Sequence, residues 1–238
     1  MNNLLKSAVA GHGGQDRWKQ LRSIRSSLSV TGALWESKGM ADSLKGIEIE
    51  VWIHEQKVVT NLPLRKKRFI FQPDLLVIES ESRQKRTEYE NPRKAFAEMS
   101  QTTPWEDVHV AYFNSYALWN YLTAPFQFAS PGYNCEELAE WDEDGEHWRP
   151  LKVTFPDRIA THTKEQVAYF GHDGLLRRLE YAVDVLGGAK GLNYATEYRE
   201  INGIMFPMKR RVHPADAGRR KVEKPVLVAI DFHEIAIQ

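Results

Sequence analysis

The chain has 238 residues, 42% of them hydrophobic and 27% charged, with 32 Lys plus Arg set against 32 Asp plus Glu and a formal net charge of zero. That length allows one large β domain or two small ones, with a substantial buried core. The even charge balance argues against a dedicated nucleic-acid binder, which carries a basic surplus on one face. The single cysteine, Cys135, rules out an internal disulfide and with it any pointer to an oxidising compartment.

At the N-terminus, Lys6 and the Gly11–Gly14 break interrupt a short apolar stretch. This lacks the apolar core of a signal peptide, and no later stretch approaches the ~20 apolar residues of a membrane helix. The expectation is a cytoplasmic protein with no integral membrane segment. Leu4, Leu5, Ala8 and Val9 recur at helical spacing behind Asn2-Asn3, a capping signal, and Trp18 and Leu21 suggest a second helical turn. His12, in the glycine-rich break, reads as a helix C-cap or an exposed loop residue. The segment has neither the spacing of a phosphate loop nor the preceding strand of a dinucleotide fingerprint.

From Ile24 the period switches to two. Ile24, Ser26, Leu28 and Val30 form one face of a strand, and Ile47, Ile49, Val51 and Ile53 one face of the next. Further strands are expected at 57–62, 68–71, 75–79 and 84–89, punctuated by Gly46, Pro63, Pro73 and Pro92. The basic clusters Arg65-Lys66-Lys67-Arg68 and Arg219-Arg220-Lys221 sit beside turn signals and read as solvated loop charge. Residues 92–99 and 105–122 read as helices, the second with Thr103 as cap, Pro104 at its first position and Glu106 completing a capping box. Strands resume at 136–141, 148–155, 165–170, 175–185, 194–200, 205–212 and 226–237. Asp144-Gly145, Asp173-Gly174 and Asn202-Gly203 act as hairpin turns, so Asp173 is read as a turn former. The order of elements predicts a mainly β (α+β) domain spanning 1–238. Its large antiparallel sheet must curl, close or split, and as a curved sheet it would have the central helices plugging its concave side.

The 105–122 helix concentrates the chemistry. Trp105, Val108, Tyr112 and Trp119 fall along one stripe with His109 and Tyr116 beside it, and Phe113, Ala117, Leu118 and Leu122 cover much of the remainder. A helix apolar nearly all round is buried on most sides. Its aromatics either fill the core or line a ligand pocket. In the pocket reading Trp105, Phe113, Trp119 and Phe126 contact the ligand. His109 is an acid–base candidate, with Tyr112 or Tyr116 as hydrogen-bond donor, or else a histidine that satisfies its own hydrogen bonds. The 159–166 loop supplies a second candidate pair, His162 and Gln166, at the rim of the sheet. In Arg177-Arg178 and Arg210-Arg211 strand alternation allows one member of each pair to reach inward and hold a carboxylate or phosphate, and Arg178 is taken as a ligand contact. Cys135 stands beside Glu136 and Glu137, which raise its thiol pKa and make it a poor nucleophile. There is no H-E-x-x-H, no cysteine pair and no G-x-S-x-G, so neither a metal nor a cofactor is expected.

The N-terminal helix ending in Gly13-Gly14-x-x-x-Trp18, the strand after it, and the hairpin Tyr198-Arg199-Glu200-Ile201-Asn202-Gly203-Ile204-Met205-Phe206-Pro207 with its basic continuation resemble the outer-membrane lipoprotein carrier (LolA-like) superfamily. Thr103-Pro104-Trp105-Glu106-Asp107, Tyr121–Phe126 and Phe155-Pro156 with Thr161-His162-Thr163 are similar to a bacterial branch of that fold. The resemblance covers most of the chain. It implies an unclosed antiparallel barrel that wraps hydrophobic ligands, with helices as lid or plug, and no particular activity. The carriers work outside the cytoplasm, whereas this chain shows no export signal. Two functions follow as expectations: non-covalent binding of a hydrophobic small molecule or acyl chain, or an enzyme (cyclase, isomerase, lyase or hydrolase) needing neither metal nor nucleotide. A protein-interaction scaffold is a third and requires a large exposed apolar patch.

Overall fold

The structure, a computed structural model, describes residues 2–80, 82–100 and 102–238. Helices α1 (Asn3–Gly11) and α2 (Gln15–Lys19) lead into β1 (Ser23–Thr31), α3 (Ala33–Ser37), β2 (Leu44–Trp52), β3 (Lys57–Leu62), β4 (Lys67–Gln72), β5 (Leu75–Ser80) and β6 (Arg86–Glu90). Helix α4 (Asp107–Thr123) separates these from β7 (Asn134–Glu137), β8 (Trp141–Glu143), β9 (Glu146–Thr154), β10 (Glu165–Phe170), β11 (Leu176–Val183), β12 (Ala189–Ile201), β13 (Ile204–Pro214) and β14 (Val228–Ile237).

All fourteen strands belong to one antiparallel sheet, in the order β6-β5-β4-β3-β2-β1-β14-β13-β12-β11-β10-β9-β7, with β8 paired to β9 off this path. Two runs of hairpins are thus sewn together by the first and last strands, with Ile24 opposite Ile237 and Val30 opposite Ile230. Strands β6 and β7 are free edges, so the curved sheet does not close. Type I′ chemistry explains two of the hairpins: Asp144-Gly145 and Asn202-Gly203 all have positive φ, at 52°, 80°, 48° and 87°. Asp173 makes an Asx turn, its Oδ1 accepting from the Leu175 N–H at 3.0 Å.

Helix α4 runs along the concave side, against β3, β4 and β5. Every residue from Val108 to Thr123 is buried, as a helix apolar nearly all round requires, and the polar His109, Asn114, Ser115 and Asn120 are buried with the rest. Helices α1 and α2 close the end of the barrel. Asn2 caps α1 by accepting from the Leu5 N–H at 2.8 Å. His12 is its C-cap, buried rather than exposed, donating from Nδ1 to the Ala8 carbonyl at 2.8 Å. Gly13 lies at φ +115°, and a Cβ there would sit 2.0 Å from the Gly203 carbonyl oxygen, so a side chain is excluded.

Four expectations need correction. Residues 92–99 form only a short 3-10 turn, Pro92–Phe96. The 105–122 helix begins at Asp107 with Glu106, not Thr103, as its cap, because the Thr103 hydroxyl accepts the Ser100 N–H instead. The expected 136–141 strand is two strands, β7 and β8. Strand β12 starts at Ala189, since Ala189 and Lys190 pair with Val183 and Ala182 of β11. Helix α3 carries no clear periodic signal.

Candidate functional site

The N-terminal end of α4 is anchored by side chains. His109 Nδ1 accepts the Glu106 N–H at 2.9 Å and its Nε2 donates to the Ala95 carbonyl at 3.1 Å. Asp107 pairs with Arg65 at 2.5 Å and with Lys67. Its carboxyl is held below the usual range by these two cations, against an opposing effect of burial.

Further along α4 the helix meets the 155–164 loop. Burying His162 there places Nδ1 3.0 Å from the Tyr116 hydroxyl and Nε2 2.8 Å from the Tyr121 hydroxyl. The Tyr121 hydroxyl also meets that of Tyr181, on β11, at 2.6 Å. The Tyr181 ring stacks on the imidazole, 4.2 Å between centroids and 20° between planes. The loop is pinned by Arg93, which donates to the Thr161 carbonyl at 3.1 Å and to Asp184 at 3.0 Å. Burial, with a smaller push from the Arg93 charge, lowers the His162 pKa to about 3. Burial likewise pushes Tyr121 up to about 12 and raises Tyr116 and Tyr181. At neutral pH all four groups are therefore uncharged. A neutral imidazole has one donor and one acceptor, so one of Tyr116 and Tyr121 donates to His162 and the other accepts. The result is a hydrogen-bonded chain, Tyr116–His162–Tyr121–Tyr181, along which a protonation pattern can reverse without net charge.

Beside this chain lies a crevice of about 150 Å³ between α3, α4 and strands β11 to β14. Trp35, Phe113, Ala117, Val183, Val212 and Ile230 are among its walls, together with His162, Tyr121 and Tyr181. Asn114 also borders it, and its buried Nδ2 has no hydrogen-bond partner. A more open groove of about 430 Å³ lies across the 155–164 loop, lined by Arg93 and Tyr112.

No family model and no curated protein matches the chain. Solved structures do. A LolA superfamily protein from Nitrosomonas europaea superposes with a TM-score of 0.56 at 12% identity, covering 99% of this chain and 92% of that one. The fold is LolA-like. A DUF1329 family protein from Desulfovibrio piger gives a TM-score of 0.57 at 14% identity over 98% of this chain and 90% of its own. An outer membrane lipoprotein-sorting protein domain from Vibrio parahaemolyticus gives 0.55 at 8% identity over 99% and 91%.

Within this LolA-like barrel the residues singled out in the sequence scatter over several places. His162 and Tyr116 come together, and Phe113 joins them, 5.3 Å from His162 between ring centroids. Tyr112 stands one turn away, edge-on to Tyr116 at 5.2 Å and to Phe71 at 5.7 Å. Trp105 packs at the helix start against Trp35, Phe96 and Phe113. Trp119 lies outside the crevice and donates to the Trp52 and Glu55 carbonyls at 2.7 and 2.9 Å, tying α4 to the β2–β3 turn. Phe126 stacks on Trp18, 4.1 Å apart and 6° from parallel. Gln166, at the start of β10, donates to the Thr163 carbonyl at 3.1 Å and to the Thr161 hydroxyl in the loop before it. His109 has both ring nitrogens engaged by backbone.

Arg178 is buried but does not face α4. It shares a sheet face with Glu180, opposite to Tyr181, and lies among Trp141, Trp148, Tyr169 and Tyr194, paired with Glu143 at 2.5 Å and Glu180 at 3.2 Å. The arginine that does reach the interior is Arg210. Burial, rather than neighbouring carboxylates, pushes the Cys135 thiol up to about 11. Sequence reasoning missed Tyr121, Tyr181 and Asn114. Tyr181 carried a usable signal, since it alternates with Leu179 and Val183 on one strand face.

Proposed function

We propose that this protein binds a hydrophobic small molecule or acyl chain non-covalently, with the crevice between α3, α4 and β11 to β14 as the seat of its apolar part. The carrying observation is that crevice: about 150 Å³ of space inside the barrel, walled by aromatic and aliphatic side chains. Apolar matter moved there from water gains about 0.8 kcal/mol per methylene, and Asn114 offers a donor to a polar atom on the ligand. The fold shared with an outer membrane lipoprotein-sorting domain supports the same class of ligand. Among the described residues the large exposed hydrophobics are Leu64 and Val222, and two separate side chains do not make the contiguous patch a scaffold requires.

Native mass spectrometry of freshly purified protein, followed by solvent extraction, tests the reading. A stoichiometric apolar passenger is expected, and Ala117→Phe, which fills the crevice, should expel it. A passenger retained in equal amount by Ala117→Phe, or a clean apo mass together with no binding of added alkyl compounds, would sink the proposal.

The Tyr116–His162–Tyr121–Tyr181 chain favours a second reading, an enzyme acting on an apolar intermediate in the same crevice. His162 and its tyrosines would hold and move a proton there, with water excluded. Under this reading His162→Gln abolishes turnover and leaves ligand affinity largely intact. Under the binding reading the extracted passenger is chemically unchanged after incubation.

A further inference from the structure

Arg210, on β13, is 1% exposed. Its Nη2 donates to the Tyr121 carbonyl at 3.0 Å and its guanidinium lies 5.0 Å from the Tyr121 ring centroid, but Nε and Nη1 have no partner. Among the described residues no carboxylate forms an ion pair with it. The groups around it are Tyr121, Tyr181, Tyr198 and His12. Each is neutral at pH 7, with Tyr198 raised by burial and His12 lowered to about 4. On the adjacent strand Asn193, fully buried, makes no hydrogen bond of 3.5 Å or less, and the polar groups its amide faces are the Tyr121 and Tyr181 hydroxyls. A buried cation with no counter-charge and a buried amide without a close hydrogen bond each cost free energy that a folded chain ordinarily avoids. Here they are diagonal neighbours on one face of the sheet: Asn193 is opposite Val212 in the register and Arg210 opposite Ala195.

The place adjoins the apolar crevice. Gly191 and Val212 line the crevice. Asn193 is level with Val212 in the register, and Arg210 is two residues beyond Val212, about 7 Å by strand rise. Tyr121 borders both spaces.

We propose that Arg210 and Asn193 seat the anionic head of the ligand, so that the molecule bound is an amphiphile carrying a carboxylate or similar oxyanion on an alkyl chain. This rests on the apolar-binding reading and narrows it. In so dry a setting an oxyanion meets an unscreened positive charge and forms charge-assisted hydrogen bonds with the two free guanidinium nitrogens. Asn193 Nδ2 is a further donor.

The test is calorimetric titration of the full chain, freed of any passenger, with octanoate, 1-octanol and acetate at pH 7.5. Octanoate is expected to bind about tenfold tighter than 1-octanol, the order of one charge-assisted hydrogen bond. Acetate is expected to give no measurable binding at the same concentration. Arg210→Met should abolish the preference for octanoate. If wild type binds octanoate and 1-octanol equally, or if Arg210→Met keeps the preference, the head seat is overturned while the apolar reading stands. If neither alkyl compound binds, the apolar reading fails and takes the seat with it. Acetate binding as tightly as octanoate overturns the amphiphile in favour of a small free anion. Should Arg210→Met fail to fold, the wild-type ranking of the three probes still decides, and Asn193→Leu, which retains the charge, should narrow the preference for octanoate.

Discussion

Arg178 and Arg210 are both buried, yet their surroundings are opposite. Arg178 has Glu143 and Glu180 within ion-pair distance and four aromatic rings around it, with Glu143 also accepting from Tyr194. Removing one partner of a buried pair strands the other. Arg178→Met should therefore lower stability by about 3 kcal/mol or more in urea denaturation, and a loss under about 1 kcal/mol would show that Arg220, 3.6 Å from Glu143, replaces it. The histidines set a pH dependence. Folded, His12 titrates at about 4 and His162 at about 3, against 6.5 when exposed. Between those values and 6.5 the unfolded chain binds protons that the folded chain does not. Stability is thus full above about pH 7 and falls as pH drops below 6.5, by up to about 1.4 kcal/mol per pH unit for each histidine. The urea midpoint at pH 5 should lie below that at pH 7.5, and His162→Gln should flatten the difference. An unchanged slope in that variant would mean that His162 charges freely in the native state.

At the scale of the element, α4 shows why a periodic pattern predicts burial better than role. Its aromatic composition marked it as buried, and it is. Which aromatic side chain meets the crevice, which ties down the helix and which merely packs depends on the neighbours each finds around the helix. His109 looked like an acid–base candidate because it lies near Tyr112 and Tyr116, and the fold uses it as a cap. His109→Ala should cost about 1 kcal/mol, measured as a shift in urea midpoint, and leave ligand binding unaltered. The basic cluster at 65–68 is likewise more than solvated charge, since Arg65 and Lys67 hold Asp107 at the start of α4. The two glutamates beside Cys135 were legible, but the burial that governs its thiol was not.

For the whole molecule the decisive contact is the pairing of β1 with β14, which joins the two runs of hairpins. Every other neighbouring pair in the N-terminal run is a hairpin, formed between strands adjacent in sequence, whereas this pair closes almost the full chain length. A chain ending at residue 227 keeps every hairpin up to β12–β13 and loses β14, the strand that links β1 to β13 among the described residues. It should therefore lose cooperative unfolding, followed by circular dichroism against urea. A sigmoidal transition with an undiminished m-value would show that the two halves fold without the seam.

Alternation, turn residues and the apolar run at 108–122 are properties of neighbouring residues, and they determined the strands, the hairpins, the buried helix and the antiparallel architecture. Facing was decided elsewhere. The register shift between Tyr169 and Phe170 changes the phase of β10 against β11 part-way along. Alternation says that one member of Arg177-Arg178 is buried, but not that Arg178 faces away from α4, among Trp141, Trp148 and Tyr169. The Tyr116–His162–Tyr121–Tyr181 chain and the uncompensated charge of Arg210 join residues up to 89 positions apart. Only the curvature of the sheet around α4 brings them to one place, because hydrogen bonds and burial act over a few ångströms in space and not along the chain.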